Sequence, residues 1–208
     1  MKKLISIVAV LLVAVTVLAV PASASSAYQT YTYSIQGDAL YSPDAYSAEQ
    51  SYGAADMGLD ELGLKMPADL VTDDEENVYI ADSGHNRIIK LNRYLQNPVY
   101  IGEFVNDQGI DDSLSNPQGL YVTEDRIWVC DTGKARIVVF DRDGNFIKII
   151  EEPQSALFEE GSTYRPVAIA VDTWNRLYVV SSTTYQGIIV LTEDGEFVKF
   201  IGAQPVTI

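Results

Sequence analysis

Three stretches of the chain, residues 66–91, 116–140 and 165–191, share one order of apolar and polar positions. Each has a proline at its second position and then an apolar run, a polar turn, a second apolar run, a polar loop and a third apolar run. The prolines, and an aromatic residue in the second run, recur at a spacing of about 50 residues. A fixed period of this kind predicts a repeat architecture.

Each repeat is predicted to form four short β-strands. The second and third runs, VYIAD and RIIKL in the first repeat, are too apolar for a strand with one wet face, which indicates burial on both faces. Asp143-Gly144 and Asp194-Gly195 predict tight hairpins that lead into fourth strands. We therefore predict an all-β fold, a β-propeller of four-stranded antiparallel blades with three blades present. A β-sandwich is the alternative, but sandwiches rarely repeat their sequence at this period.

The repeat also carries recognisable motifs. They are a proline before an apolar strand, the run N-(V/L/I)-(Y/W)-(V/I)-A-D, the triplet N-R-I, and D-G-x-F at the last hairpin. On these motifs the chain resembles the NHL-repeat family of propeller blades over about residues 64–202. The resemblance implies a propeller fold, but blades of this kind serve many functions.

The N-terminus has the features of a signal peptide. Lys2 and Lys3 precede an uncharged apolar run over residues 4–20, and an Ala-Ser-Ala site follows at residues 22–24. A retained membrane anchor is the alternative, although the run is at the short limit for a span. We predict a secreted, extracellular protein with a signal peptide at 1–24, a tyrosine-rich leader at 25–63, blade 1 at 64–104, blade 2 at 105–150, and blade 3 with a C-terminal tail at 151–208. Within the leader, residues 28–35 have a strand-like composition that suits pairing with a blade edge, and the rest indicates a loose linker.

Three blades do not close a ring. Propellers close with about four to eight blades, and three leave two apolar blade faces without a neighbour. We therefore expect an incomplete propeller whose partners are missing blades of a longer protein or a second copy that completes a six-bladed ring. Of these two, we favour the longer protein at this point.

A carboxylate and a guanidinium flank the loop between the second and third strands of two repeats. Asp82 and Arg87 are five residues apart, and so are Asp131 and Arg136. In the third repeat Ser181 and Gly187 occupy the corresponding positions, so both members are lost together. This pattern predicts strand-bridging ion pairs between antiparallel neighbours.

The loops between second and third strands share one rim of the propeller with the connections between blades. Candidate binding residues on this rim are Ser83, His85, Lys134 and Tyr185. A Ser-His-Asp triad requires three residues that converge in space, and Asp82, Ser83 and His85 lie too close together in one hairpin to do so. The rim is therefore predicted to bind a partner molecule and to perform no catalysis.

The connections between blades are acidic. Asp107, Asp111 and Asp112 are weak candidates for calcium ligands because oxygen-rich loops bind this ion, although their spacing does not match an EF-hand. A solvated acidic loop is the alternative. Apart from this possible calcium, we predict no cofactor.

Composition also limits the classes of molecule that the chain is expected to bind. The formal net charge is −15, from 29 acidic and 14 basic residues, which disfavours binding to nucleic acid or anionic lipid. Membrane contact is expected only through the signal peptide or a domain outside this chain. Cys130 is the one cysteine, so no internal disulfide forms, and His85 is the one histidine, which excludes a zinc site with two or more histidines from this chain.

The leading function is an extracellular scaffold that binds a protein or a glycan. The alternative is part of a metal-dependent propeller hydrolase or lactonase-like enzyme, which the resemblance admits, whose site needs blades absent here. The innermost strands supply few carboxylates for such a site, namely Asp69, Asp73 and Asp172. An inert spacer at the cell surface is a third option.

Overall fold

A computed structural model describes residues 31–41, 50–158 and 163–202. It divides the chain into two compact units, Met1–Ser51 and Tyr52–Ile208. The predicted signal peptide lies outside the described residues. No helix among the described residues is long and apolar enough to cross a membrane.

The described part of the first unit is a short hairpin. Strand β1 (Tyr31–Tyr33) pairs antiparallel with β2 (Ala39–Tyr41). The Ser34 hydroxyl oxygen accepts the backbone N–H groups of Gln36 and Asp38 in the turn. Part of the predicted strand in the leader is therefore present, and it pairs with β2.

The second unit contains the predicted blades. Blade 1 consists of β3 (Pro67–Thr72), β4 (Val78–Asp82), β5 (Arg87–Leu91) and β6 (Val99–Ile101), and a small hairpin of β7 (Glu103–Val105) and β8 (Asp111–Ser113) follows it. Blade 2 consists of β9 (Pro117–Val122), β10 (Arg126–Asp131), β11 (Arg136–Asp141) and β12 (Phe146–Ile150). Blade 3 consists of β13 (Pro166–Val171), β14 (Leu177–Ser181), β15 (Ile188–Leu191) and β16 (Phe197–Ile201). Each blade is a four-stranded antiparallel sheet with its strands in chain order, so the predicted fold class is confirmed.

The cores lie between blades. Successive strand residues point to opposite faces, so Tyr79 and Ala81 of β4 face blade 2 while Val78 and Ile80 face the other way. One cluster joins Tyr79, Ala81 and Ile88 to blade 2, and a second joins blade 2 to blade 3 through Trp128, Cys130, Ile137, Ile169, Val179 and Ile189. All five residues of β4 are buried, as the unbroken apolar pattern predicts.

The aromatic residue that marks the repeat makes the same hydrogen bond to an aspartate in blades 1 and 3. The Tyr79 hydroxyl lies 3.0 Å from Asp73 Oδ2, and the Tyr178 hydroxyl lies 3.1 Å from Asp172 Oδ2. Burial, opposed in part by Arg142, raises the pKa of Tyr79 to about 12, so this hydroxyl keeps its proton and donates to the carboxylate. In blade 1 the Tyr79 ring is fully buried in the core, while its polar tip closes the preceding turn.

The hairpin β7–β8 lies in the stretch after β6 that the sequence analysis described as an acidic connection between blades. The strand ends at Ile101, and the next residue, Gly102, lies against the backbone of the neighbouring loop, where an added Cβ would come within 2.9 Å of the Asn86 carbonyl oxygen. The chain then turns at Asn106, whose side-chain oxygen accepts the N–H groups of Gln108 and Ile110, with Gly109 at φ +76°. A stretch predicted as a plain connection is thus a projecting hairpin.

The end of the predicted leader also differs from a loose linker. Residues 53–59 form hydrogen-bonded turns that start at Gly53 and Ala54. They bury Met57 in a cluster with Val78, Ile80, Ile89 and Leu91 of blade 1. This segment covers the face of blade 1 that lies away from blade 2.

Candidate binding site

The site is the connection rim, defined as the Ser83–His85 and Thr132–Lys134 turns, the loop 182–187, the hairpin β7–β8, and the residues that enter each first strand. Backbone hydrogen bonds join these pieces within each blade. Gly84 donates to the Lys65 carbonyl at 2.8 Å, Gly133 to the Ser115 carbonyl at 2.8 Å, and Ser182 to the Arg165 carbonyl at 2.9 Å. The strand-joining turns and the connections therefore lie at one rim, as predicted.

The two predicted ion pairs are formed. Arg87 Nε lies 2.8 Å from Asp82 Oδ2, and Arg136 Nε lies 2.8 Å from Asp131 Oδ2, with both carboxylates fully buried. In each pair the residues are directly opposite in the antiparallel register. The pairs therefore close the ends of β4–β5 and β10–β11.

Each buried aspartate also accepts a backbone hydrogen bond, and this contact explains why a serine replaces the aspartate in the third repeat. Asp82 Oδ1 accepts the N–H of Lys65 at 2.7 Å, and Asp131 Oδ1 accepts the N–H of Ser115 at 2.6 Å. In blade 3 the Ser181 hydroxyl oxygen accepts the corresponding N–H of Arg165 at 3.0 Å. A neutral hydroxyl satisfies the backbone donor without introducing a buried charge, so blade 3 needs no arginine.

The arginine of each pair also contacts a second aspartate, which the sequence analysis did not assign to the pair. The guanidinium of Arg87 contacts both carboxylate oxygens of Asp60, and that of Arg136 contacts both oxygens of Asp112. The bidentate geometry suits an arginine–carboxylate pair. The hydrogen bond from Arg136 holds the pKa of the Asp112 carboxyl well below its usual range.

These contacts bear directly on the calcium candidates. Asp112 accepts from Arg136 and also from Lys134 Nζ at 2.6 Å, so two cations already occupy its oxygens. Asp107 and Asp111 are exposed. Within residues 31–41, 50–158 and 163–202, no three His, Cys, Asp or Glu side chains lie close enough together to hold a metal ion.

Ser83 has a structural role at the junction between blades. Its buried hydroxyl donates to the carbonyl of Pro117, the first residue of the next blade. Thr132 repeats the contact one blade later, with Oγ1 2.5 Å from the Pro166 carbonyl oxygen. Ser83 therefore faces the junction and is not available to a ligand.

His85 has a partner that the sequence analysis did not recognise. Its Nδ1 lies 2.8 Å from Asp82 Oδ2, the same oxygen that Arg87 contacts. Because a carboxylate only accepts, Nδ1 carries the proton and, in the neutral ring, Nε2 remains an acceptor. Of the other predicted rim residues, Tyr185 is 91% exposed, and Lys134 is partly exposed beside Asp112.

Two clefts flank the hairpin β7–β8. One, of about 540 Å³, is lined by His85, Arg87 and Tyr100 together with Asn86, Gly102, Glu103, Ser113 and Leu114. The other, of about 650 Å³, is lined by Glu103, Phe104, Val105, Asp111, Asp112, Ser113 and Lys134. Phe104 stacks on Phe146 at a centroid distance of 4.9 Å, which fixes the base of the hairpin on blade 2. Both clefts are lined by polar and apolar side chains together.

The walls of the first cleft are held by the ion pairs. The Arg87 guanidinium lies 4.4 Å from the Tyr100 ring centroid while it contacts Asp60 and Asp82. The Tyr100 hydroxyl in turn accepts the N–H of Asp60 at 2.8 Å. Cys130 stands apart from the rim: burial raises the pKa of its thiol, so it is an unreactive core residue.

Comparison with known proteins supports the assignment of the blades. Residues 114–140, which span β9, β10 and most of β11, match the model of the NHL repeat. The chain carries an NHL repeat. The resemblance predicted from the proline, aromatic and loop motifs is thereby confirmed at this repeat, and the fold is that of a β-propeller with three blades described.

One solved structure agrees in fold at a TM-score of 0.50, and two others are similar at lower scores. The hydrazine synthase of Kuenenia stuttgartiensis matches at 16% identity and a TM-score of 0.50, over 67% of this chain and 37% of its own. A selenomethionine-substituted virginiamycin B lyase from Staphylococcus aureus matches at 18% identity and a TM-score of 0.44, over 85% and 48%. A gluconolactonase from Xanthomonas campestris matches at 16% identity and a TM-score of 0.49, over 83% and 56%. The chain thus spans about half or less of the length of most of these proteins, and no curated protein matches it.

Proposed function

We propose that this NHL-repeat protein is an extracellular scaffold that binds a protein or a glycan at its connection rim and performs no catalysis of its own. One observation carries the proposal: the two clefts beside β7–β8 combine exposed polar and aromatic side chains with walls fixed by buried ion pairs. Fixed walls lose little conformational entropy when a ligand binds, so weak polar contacts suffice for useful affinity.

The residues around the rim supply recognition chemistry. In the first cleft, Tyr100 offers an aromatic surface, Glu103 an acceptor, and His85 a ring nitrogen whose orientation Asp82 sets. Aromatic faces with neighbouring hydrogen-bonding groups suit the apolar and hydroxylated faces of sugars, and they suit peptide segments equally. Lys134 and Asp111 provide charges of both signs at the second cleft.

The groups that could act as nucleophiles are occupied. The Ser83 hydroxyl donates to Pro117, and the Cys130 thiol is buried in the core between blades 2 and 3. His85 lies beside a carboxylate but has no hydrogen bond to Ser83 among the described contacts. This arrangement favours binding over hydrolysis at the rim.

A glycan array probed with the full chain tests the proposal, with soluble extracellular proteins immobilised beside the glycans. We expect a bound ligand whose affinity falls at least about tenfold in Glu103→Ala and in His85→Ala, since each removes a cleft contact. Glu124→Ala is the matched control, because Glu124 is an equally exposed acid on a turn at the opposite rim. Loss of binding in the control alone, or turnover of a lactone or glycoside panel by the full chain, would contradict the proposal.

A further inference from the structure

The hairpin β7–β8 is a sheet of two strands beside the four-stranded blades. Asn106 donates its backbone N–H to the Ile110 carbonyl at 2.9 Å. Leu114 donates in the same way to the Gly102 carbonyl at 2.8 Å. Because hydrogen-bonded and non-hydrogen-bonded pairs alternate along an antiparallel ladder, the residues between these bonded positions direct their N–H and C=O groups away from the hairpin. The outward residues are Glu103 and Val105 on β7, and Asp111 and Ser113 on β8.

The outer edge of β8 is covered by side chains. The Ser113 carbonyl accepts Lys134 Nζ at 2.8 Å and an N–H of the Arg136 guanidinium at 3.2 Å. The Ser113 N–H is donated to Asp112 Oδ1 at 2.7 Å. With both Ser113 groups taken, this edge does not offer two successive outward residues to another strand.

The outer edge of β7 is open. Among the described residues, no strand other than β8 pairs with β7, and no side chain bonds to the backbone groups of Glu103 or Val105. Glu103 is exposed and Val105 is 55% exposed, so this edge is accessible from solvent. Its outward N–H and C=O groups recur every second residue, about 7 Å apart, which is the spacing of an extended peptide.

Packing on blade 2 holds the hairpin in place. Phe104 and Asp112 lie on the face of the hairpin opposite to the side chains of the outward residues. Phe104 stacks on Phe146 and meets Phe140 edge to face at a centroid distance of 5.4 Å, and Asp112 forms an ion pair with Arg136. An edge that is already ordered loses little conformational entropy when a further strand is added to it.

Charge determines which peptides suit this edge. Glu103 and Asp111 are exposed acids on the outward face, and Asp107 is an exposed acid in the turn that follows β7. The neighbouring cations, Lys134 and Arg136, are already in ion pairs. A second copy of the chain does not suit the edge, because two copies that each have a formal net charge of −15 repel each other. The edge therefore favours a cationic ligand.

We propose that the outer edge of β7 binds an extended basic peptide segment as an additional strand. This inference rests on the function proposed above and narrows its ligand from a protein or a glycan to a peptide, since a glycan lacks the alternating amide donors and acceptors that the edge pairs with. The peptide backbone pairs with Glu103 and Val105. One basic side chain lies beside Glu103, and two residues along the peptide an apolar side chain lies beside Val105. The recognised pattern is basic-x-apolar.

The capped peptide Arg-Thr-Val-Thr-Arg, titrated into the isotope-labelled full chain, tests the inference by NMR. Its side chains have the same order in both directions, so a parallel and an antiparallel strand each place an arginine beside Glu103 and the valine beside Val105. We expect solvent exchange of the Val105 amide to slow at least about fivefold at millimolar peptide. The Phe104 amide should change little, because it already bonds within the hairpin.

Two matched comparisons separate strand pairing from attraction between charges. The same peptide with N-methylated valine and threonines keeps its side chains but loses backbone donors, and it should bind at least about tenfold more weakly. Val105→Pro removes an outward N–H and leaves the bonds between β7 and β8 in place, and it should weaken binding to a similar extent. Asp111→Pro is the control, because it makes the same change on the covered edge of the same hairpin and should keep binding.

An unchanged Val105 amide at millimolar peptide, or equal binding of the N-methylated peptide, would overturn the inference. Equal binding of Glu-Thr-Val-Thr-Glu would overturn the preference for a basic segment. A ligand that binds the connection rim equally well in Val105→Pro and in the wild type would overturn strand addition while the proposed function stands. If neither peptides nor glycans bind at the rim, both the inference and the proposed function are wrong.

Discussion

Removal of Arg136 tests how the connection rim is held. The substitution Arg136→Met preserves most of the side-chain length but leaves Asp131 fully buried without its cation. Breaking a buried ion pair from one side costs about 3–5 kcal/mol in the free energy of unfolding. For a chain of this size that corresponds to a fall in Tm of about 6–20 °C. The same substitution removes one cation from Asp112 but costs less there, because the Asp112 carboxylate keeps its ion pair with Lys134.

Blade 3 indicates how the loss can be repaired. Ser181 there accepts the entering backbone N–H without a charge. The double variant Asp131→Ser/Arg136→Met transfers this solution to blade 2: the Ser115 N–H keeps an acceptor and no charge stays buried. We expect it to cost about 1–2 kcal/mol, less than Arg136→Met alone.

The assay is urea-induced unfolding at one fixed protein concentration, followed by tryptophan fluorescence and circular dichroism together. Arg93→Met serves as the control, since Arg93 and its partner Glu76 are both mostly exposed and such a pair contributes at most about 1 kcal/mol. The reasoning is refuted if the double variant is as unstable as the single one, or if the control loses as much stability as Arg136→Met.

Three further predictions concern the same framework. Arg136 lowers the pKa of Asp112, and Arg87 lowers that of Asp60, from an ordinary value of 3.8. The two ionised carboxylates therefore stabilise the fold fully above about pH 4, and this stabilisation is lost as the pH falls through their folded-state pKa values. Acid titration of Arg136→Met should show a shallower loss of stability than the wild type. Gly133→Ala should destabilise by about 1–3 kcal/mol in urea unfolding, because the new Cβ would lie 2.6 Å from the Ser115 carbonyl oxygen; an unchanged midpoint would mean that the turn moves freely. Thr132→Val keeps the side-chain shape but leaves the Pro166 carbonyl without its donor, and we expect a loss of about 1–2 kcal/mol by the same assay; no loss would show that the junction hydroxyl contributes nothing.

Local patterns were sufficient to predict the blades. The proline, the aromatic residue of the second strand and the Asp-Gly hairpins are all features that a strand or turn requires within a few residues, and the structure places them as predicted. The Asp82–Arg87 pair was predictable for the same reason, because its two members lie opposite each other across a single loop.

Contacts between distant segments were not predictable in this way. Asp60 and Arg87 are 27 residues apart in the chain, and nothing local to Asp60 indicates that its carboxylate contacts a guanidinium. Asp112 was noticed for its charge as a weak calcium candidate, and its neighbours in the fold are Arg136 and Lys134. The β7–β8 hairpin did have a local signal, the Asn106 turn with Gly109, although its short strands lack the alternation that marks a longer hairpin.

The most direct test of the binding proposal is site-specific photo-crosslinking from the two rims of the full chain. A photoreactive amino acid replaces Glu103 or Tyr185 on the connection rim, and Glu124 or Trp174 on the opposite rim, and each protein is illuminated with the cell-envelope fraction of the organism that makes it. The proposal predicts a common adduct from both connection-rim positions and none from the opposite rim. Adducts from Glu124 or Trp174 alone would contradict it.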